Sequence, residues 1–187
     1  MKIVKAPSTA LYPVPVVLVS CGSDRPNLIT LAWAGTVCSD PPSIAIAIRP
    51  SRHSHDLIVE SGEFVVNLPR ASQVGLVDYC GQVSGRDVDK WAACELTPLP
   101  GTQVHTPVVA ECPVSMECRV VHRLTLGTHD LFIGQVLAVQ VDEALLGETG
   151  RPDYARAEPL AYVGGEYWGL EALLGRYGDW RPRPGTR

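Results

Sequence analysis

Between Arg49 and His55 the chain reads Arg-Pro-Ser-Arg-His-Ser-His, placing two guanidinium groups and two hydroxyls where a helix should begin. Free backbone N–H groups at a helix N-terminus, a hydroxyl cap and forked Arg donors are what a dianionic phosphate requires. The same residues also fit a plainer assignment, an ordinary cap beside a solvated basic turn. His53 and His55 alone do not make a metal site, because no carboxylate and third histidine recur at a matching spacing. No metal is expected.

Other reactive types carry weaker signals. Cys80 lies near glycines and could be a nucleophile, but an apolar-flanked cysteine is more often a packing residue. The six cysteines (Cys21, Cys38, Cys80, Cys94, Cys112, Cys118) include no C-x-x-C pair; Cys112 and Cys118 come nearest, with five residues between them. Reduced thiols in a cytoplasmic protein are the expectation. In Asp87-Val88-Asp89-Lys90 the oxygen ligands do not continue at alternating positions, so its carboxylates read as caps and salt-bridge partners. Trp33 ends an apolar strand and would normally be core. His129 precedes a strand and would normally be a surface turn residue.

The elements that must hold these residues are mostly strands. Val14 to Ser20 is β-branched and apolar, with Pro15 confining it to a strand start or a sheet edge. A turn through Cys21 to Asn27 leads into a second strand, Leu28 to Val37. After Asp40-Pro41-Pro42, Ser43 to Ile48 alternates large and small apolar residues, as a strand packed on both faces would. Ser54 to Ser61 reads as a short helix with Ser54 as N-cap, Asp56 in the first turn and Gly62 as the stop. Phe64 to Leu68 is the next strand. Short helices are expected over Gln73 to Cys80 and Asp87 to Cys94, and Val114 to His122 and Leu131 to Asp142 form a closing hairpin around Thr125 to Thr128. Six or seven strands without regularly alternating long helices point to a mainly β antiparallel barrel with helical insertions.

Composition narrows the partners. The chain has 187 residues, 45% of them apolar and 19% charged, so it can bury a substantial core. Its net charge of −4 and the lack of a long run of either sign argue against a nucleic-acid partner. Apolar stretches end well short of the ~18 residues a membrane span needs, and no signal peptide is read. One domain over residues 1–187 is expected, with an extended tail from about 176. Neither G-x-G-x-x-G nor a P-loop occurs.

Taken in order, Pro13 to Ser20, Asn27 to Trp33, Cys38-Ser39-Asp40-Pro41-Pro42, Arg49-Pro50-Ser51-Arg52-His53-Ser54, Gly62 to Pro69, Cys80-Gly81, Ser84 to Lys90 and Gly127 to Val136 resemble the flavin reductase-like, FMN-binding split-barrel family, and within it the flavoredoxins most. The resemblance runs from about residue 10 to 175. It implies a six-stranded split barrel that forms a homodimer and holds one FMN per subunit near the dimer contact. Family FMN contacts carry over onto Asn27, Trp33, Ser54, Lys90 and His129, and onto the aromatic Tyr162. Ser54 stands where Thr is common and keeps the hydroxyl; Tyr162 stands where Phe is common and keeps the ring. The Gly-Asp-His used beside nicotinamide in some flavin reductases is Gly127-Thr128-His129 here, without the acidic member.

On that basis the residues fall into roles. Arg49, Arg52 and Ser54 would cradle the phosphate; Thr36, Val37, Cys38 and Ser39, with the amides of Asn27 and Asn67, would supply polar contacts along the ring; Trp33 and Tyr162 would supply walls. Lys90 would balance charge on the reduced ring or bind phosphate, and His129 would stand at the open flavin face as the catalytic group. The function implied is an oxidoreductase passing hydride or electrons from NAD(P)H or a reduced partner protein through FMN. The alternatives are an electron carrier with tightly held FMN, or a flavin-binding protein without turnover.

Overall fold

The computed structural model describes residues 1–177 and 179. The expected tail from about 176 therefore lies almost wholly outside the described residues. In chain order the strands are β1 (Val14–Pro15), β2 (Val17–Cys21), β3 (Asn27–Leu31), β4 (Ala34–Ser39) and β5 (Pro42–Ile48), followed by helix α1 (His53–Ser61) and β6 (Glu63–Leu68). Helices α2 (Val74–Gln82) and α3 (Lys90–Ala93) precede β7 (Pro98–Leu99), β8 (Val108–Val109), β9 (Val114–Thr125) and β10 (Asp130–Val141). Strands β11 (Leu160–Val163) and β12 (Glu166–Gly169) complete the described elements.

The main sheet is antiparallel, with strands in the order β3-β2-β6-β9-β10-β5-β4. Its terminal strands, β3 and β4, are consecutive in sequence and separated by Ala32 and Trp33 alone. Two ends joined by two residues must lie side by side, so the sheet curls into a barrel that stays split where β3 faces β5 and β4. This sheet has seven strands rather than the six expected. The run read as one strand from Leu28 to Val37 breaks at the corner, where the Trp33 carbonyl accepts a hydrogen bond from the Ala47 amide at 3.0 Å, and continues as a separate strand.

Period-two alternation explains the filling. Val17, Val19, Ile44, Ile46, Ile48, Phe64, Val66 and Phe132 point into the barrel, and Ile58 of α1 closes one end. The other face of β2, with Val16 and Leu18, is covered by Val77 and Cys80 of α2 and Trp91 of α3. Burial on both faces is why Val14 to Ser20 shows no polar alternation. In β5 the small residues Ala45 and Ala47 face away from the barrel, into a surface hollow beneath Trp33. Strand β1 instead pairs with β11 in a small three-stranded sheet, which is how Pro15 avoids the main ladder.

Helix α1 ends at Gly62, whose φ of 67° is the left-handed conformation that only glycine adopts at little cost. Its start differs from expectation. The cap is Arg52, without a side-chain cap bond, and Ser54 lies inside the first turn, buried, where its Oγ accepts from Asn27 Nδ2 at 2.8 Å. Helix α3 is shorter than expected because Asp89 caps it, accepting from the Trp91 and Ala92 amides at 3.0 and 3.2 Å. Among the described residues no helix is long and apolar enough to cross a membrane.

Candidate functional site

The split between β3 and β5 opens on the side where α1 begins and α2 ends. There a cavity of about 180 Å³ is lined by Asn27, Arg52, His53, Ser54, Cys80 and Lys90, with Ser84, Gly85 and Arg86 from the loop between α2 and α3. A second hollow continues along the split past Ile29, Arg52 and Gly81 to Arg49 and His129. A third, mostly apolar, lies beyond Ala47 and is walled by Trp33, Val37 and Leu131.

Lys90 is the unusual member. It is 3% exposed, and its Nζ donates to the carbonyls of Leu28 and Cys80, both at 2.7 Å. Among the described residues it forms no ion pair. Burial pushes its ammonium below the ordinary lysine value, and the positive charge of nearby Arg52 adds to the effect. A buried cation whose hydrogen bonds end on neutral carbonyls lacks a counter-charge, and the cavity wall is where one can enter. Arg52 and Arg49 likewise make no ion pair among the described residues, whereas Arg86 is held by Asp56 at 3.1 Å and by the Ser51 carbonyl at 3.1 Å.

The cavity is shaped as well as charged. A Cβ on Gly85 would stand 2.1 Å from Asn27 Oδ1, so a side chain there would displace the amide that donates to Ser54. Lysine, arginine, hydroxyl, side-chain amide and the N–H groups opening the nine-residue α1 together form an anion site. This donor set fits a phosphate monoester.

The structure brings Asn27, Arg52, Ser54 and Lys90 together, and places Arg49 and His129 along the same groove. Trp33 is at the corner between strands, 43% exposed rather than core, with its ring 4.6 Å from that of His129. Thr36, Val37, Cys38 and Ser39 lie on β4, exposed at the sheet edge and hydrogen-bonded to a strand on one side only. His129 is half-buried; burial, then the charge of Arg49, lowers its pKa below the usual histidine value and so favours the uncharged ring.

Two expected contacts are placed elsewhere. Asn67 is fully buried, and its amide is consumed internally: Nδ2 donates to the Leu18 carbonyl at 3.1 Å, and Oδ1 accepts from the Val109 amide at 3.0 Å and Ser115 Oγ at 2.7 Å. It is a sheet-to-loop tie with nothing left for a ligand. Tyr162 packs between Tyr12 and Tyr167 on the three-stranded sheet and lines none of the three hollows.

Sequence reasoning also missed two groups. Gly85 was visible only within the Ser84 to Lys90 stretch of the resemblance, with no role assigned. His55, weighed only as a metal ligand, donates from Nε2 to Oδ2 of buried Asp130 at 2.9 Å, which Arg123 also holds at 2.7 Å. The hydrogen bond from His55, and then those from Arg123, keep the Asp130 carboxyl below its ordinary value against the opposing effect of burial. This triad ties the start of α1 to the strand that follows His129. The adjacent His129-Asp130 pair was the available signal.

Residues 9–171 match the family model described as flavin reductase like domain. The chain belongs to this family. Among solved structures it is similar to the flavoredoxin of Desulfovibrio vulgaris (Miyazaki F), with 35% identity, a TM-score of 0.90, and coverage of 96% of this chain and 99% of that one. The FMN-binding protein from Thermus thermophilus is 30% identical with a TM-score of 0.80, covering 94% of this chain and all of that one. Among curated relatives, the FMN reductase (NADH) RutF of Stutzerimonas stutzeri is 27% identical over 143 residues, 74% of this chain and 72% of the relative. The curled antiparallel sheet is thus the split barrel of this flavin reductase family.

Proposed function

We propose that the protein binds FMN and acts as a flavoprotein oxidoreductase, with the phosphate in the cavity at Lys90. The observation that carries this reading is the buried Lys90 ammonium, which has no carboxylate partner among the described residues and faces a cavity shared with Arg52 and Ser54. A phosphate dianion there would supply the missing counter-charge, and the α1 amides and the Ser54 hydroxyl would complete its hydrogen bonds. The likeness to flavoredoxin and to FMN-binding proteins supports the same cofactor.

When bound, FMN takes up a hydride or two electrons and passes them on singly or as a pair. The chain's own groups would bind and orient it. Trp33 gives the ring an aromatic wall, and the unpaired edge of β4 from Thr36 to Ser39 offers backbone donors and acceptors beside it. His129, neutral and at the groove mouth, would donate a hydrogen bond to an incoming nicotinamide nucleotide or partner without holding FMN itself. The exposed apolar side chains of Trp33 at the corner, Val37 on β4, and Val121, Leu124 and Leu126 on the β9–β10 hairpin give a second copy of the chain a surface to cover, so a homodimer is part of the proposal.

The RutF likeness favours NAD(P)H as donor, and the flavoredoxin likeness favours retained FMN serving protein partners. Anaerobic mixing of the FMN-loaded protein with NADH or NADPH separates the two. Bleaching of the flavin absorbance within seconds supports reductase turnover; an unbleached flavin that dithionite reduces supports the carrier. Failure to take up FMN at all would refute both.

A further inference from the structure

Two sulfurs beside the anion cavity are not used by the proposed function. Cys80, buried on α2 and lining the cavity, holds its Sγ 3.7 Å from that of Cys94, a partly exposed residue that caps α3. All six cysteines are free, and this pair is in van der Waals contact through sulfur. The two helices meet at a second point. Lys90 opens α3 and donates through Nζ to the Cys80 carbonyl, while the Cys94 amide donates to the Lys90 carbonyl at 3.1 Å. One turn of helix thus links the cavity lysine to Cys94, and both of its ends touch Cys80.

We propose that Cys80 and Cys94 are a peroxide-oxidisable dithiol whose disulfide form loosens anion binding at Lys90. The chemistry is balanced by the peroxide. Cys94, the more accessible sulfur, attacks a peroxide oxygen as thiolate; the O–O bond breaks, hydroxide leaves and is protonated to water, and Cys94 becomes a sulfenic acid. Cys80 gives up its proton and attacks the Cys94 sulfur; the S–O bond breaks, a second water leaves and the S–S bond forms. Two thiols and one hydrogen peroxide give one disulfide and two waters. Burial pushes the Cys80 thiol up to about 12, which leaves the first attack to Cys94.

Closing the sulfurs from 3.7 Å to the ~2.05 Å of a disulfide draws the C-terminal end of α3 toward α2. Helix α3 has four residues, so its other end must follow, and that end carries Lys90. The Nζ bond to the Cys80 carbonyl and the aim of the ammonium into the cavity change together. The consequence for FMN rests on the proposed function; the dithiol itself does not.

The test treats the full-length protein with one equivalent of hydrogen peroxide, quenches with an alkylating agent and maps the cysteine peptides, then repeats an FMN titration before and after. The expected product joins the Cys80 and Cys94 peptides, two hydrogens lighter than the dithiol, and dithiothreitol reverses it. The FMN dissociation constant should rise about tenfold on oxidation, the scale of one weakened charge-assisted hydrogen bond, and return on reduction. Cys94→Ser should bind FMN as the reduced wild type does and lose both the cross-link and the shift; Cys94→Ala serves as the second variant. Peptides that are alkylated singly, or a Cys94 carried on to sulfinic acid without a cross-link, would overturn the dithiol. A cross-link that leaves FMN affinity unchanged would overturn its coupling to Lys90. A cross-link in a protein that binds FMN in neither state upholds the dithiol and refutes the cofactor.

Discussion

Glu117 and Lys90, two of the buried charges in this barrel, are held on opposite terms. Glu117, on β9, is fully buried and completely answered: it accepts from the amides of Thr102, Gln103 and Val104, the Thr102 hydroxyl and Gln140 Nε2, at 2.6 to 3.1 Å. Lys90, on α3, is nearly as buried, yet it has two carbonyls and an open cavity. A carboxylate wrapped by backbone donors fixes the 102–104 loop against the sheet and needs nothing more. An ammonium held by neutral acceptors beside unpaired arginines is incomplete without an anion. Under the proposed function, the difference separates a charge that builds the fold from one that would serve a ligand.

Exchanging each charge for a neutral side chain should therefore have opposite effects. Lys90→Met should weaken FMN binding by about 3 kcal/mol, roughly a hundredfold, as expected when one partner of a buried charge pair is truncated. Without FMN the same variant should melt no lower than the wild type, because the folded state of the free protein carries the cost of burying that cation. Calorimetry of the apo forms and a flavin titration check both halves. A large drop in apo stability would make Lys90 a structural residue like Glu117.

Glu117→Gln should do the reverse, destabilising the fold by about 2 kcal/mol, the scale of hydrogen bonds made to a charged group, and leaving FMN affinity unchanged. Burial alone would raise this carboxyl, but the hydrogen bonds from Gln140 and from the Thr102 and Gln103 amides hold it down to about 2, from an ordinary 4.5. Because the folded value is the lower one, the stabilisation is complete above about 4.5 and is lost as pH falls toward 2. A melting-temperature profile against pH should show that loss in the wild type and a flatter acid limb in Glu117→Gln.

Smaller effects sharpen the placement of the ligand. His129→Ala should slow flavin reduction at saturating donor by about tenfold, while changing FMN affinity less, as befits a hydrogen bond of ~1.5 kcal/mol made to the donor rather than the cofactor. Stopped-flow reduction with each nucleotide measures it; an unchanged rate would return His129 to a plain turn residue. Ser54→Ala should cost about 1 kcal/mol of FMN binding, the value of one hydrogen bond, since the hydroxyl is no helix cap to lose as well. His55→Ala should affect FMN still less and show itself in thermal stability, because buried Asp130 then loses one of its hydrogen-bond donors and keeps Arg123.

Much of the barrel was legible because its strands obey simple periodicity. Pro42 to Ile48 and Glu63 to Leu68 lie within one residue of the runs read from β-branched and apolar patterning, Val17 to Cys21 starts three residues after its run because Val14 and Pro15 pair with β11, and Gly62 stops α1 as expected. The corner at Ala32 and Trp33 was not legible, since apolar residues continue across it and only the closure of the sheet demands the bend. The anion cluster was visible as Arg49, Arg52 and Ser54 because those donors are contiguous in sequence. The Ser54 cap was misread because position at a helix start is set by where the preceding strand exits, and the hydroxyl is taken by Asn27. Asn67 looked available because an amide in a strand gives no sign of which face it meets; here it faces the β8 loop and is saturated. The answered charge, Glu117, stayed hidden because three of its partners are backbone amides, which have no signature in side-chain sequence.

If the cavity at Lys90 holds the phosphate of FMN, the protein must tell FMN from riboflavin. The two ligands share the ring and ribityl chain and differ by the phosphate alone. Titrated into wild type and Lys90→Met under the same conditions, FMN should bind wild type about a hundredfold more tightly than riboflavin does, and the variant should lose most of that preference while its riboflavin affinity stays the same. Equal affinity for the two flavins in the wild type, or a preference for FMN that survives the substitution intact, would mean that the phosphate does not sit at Lys90.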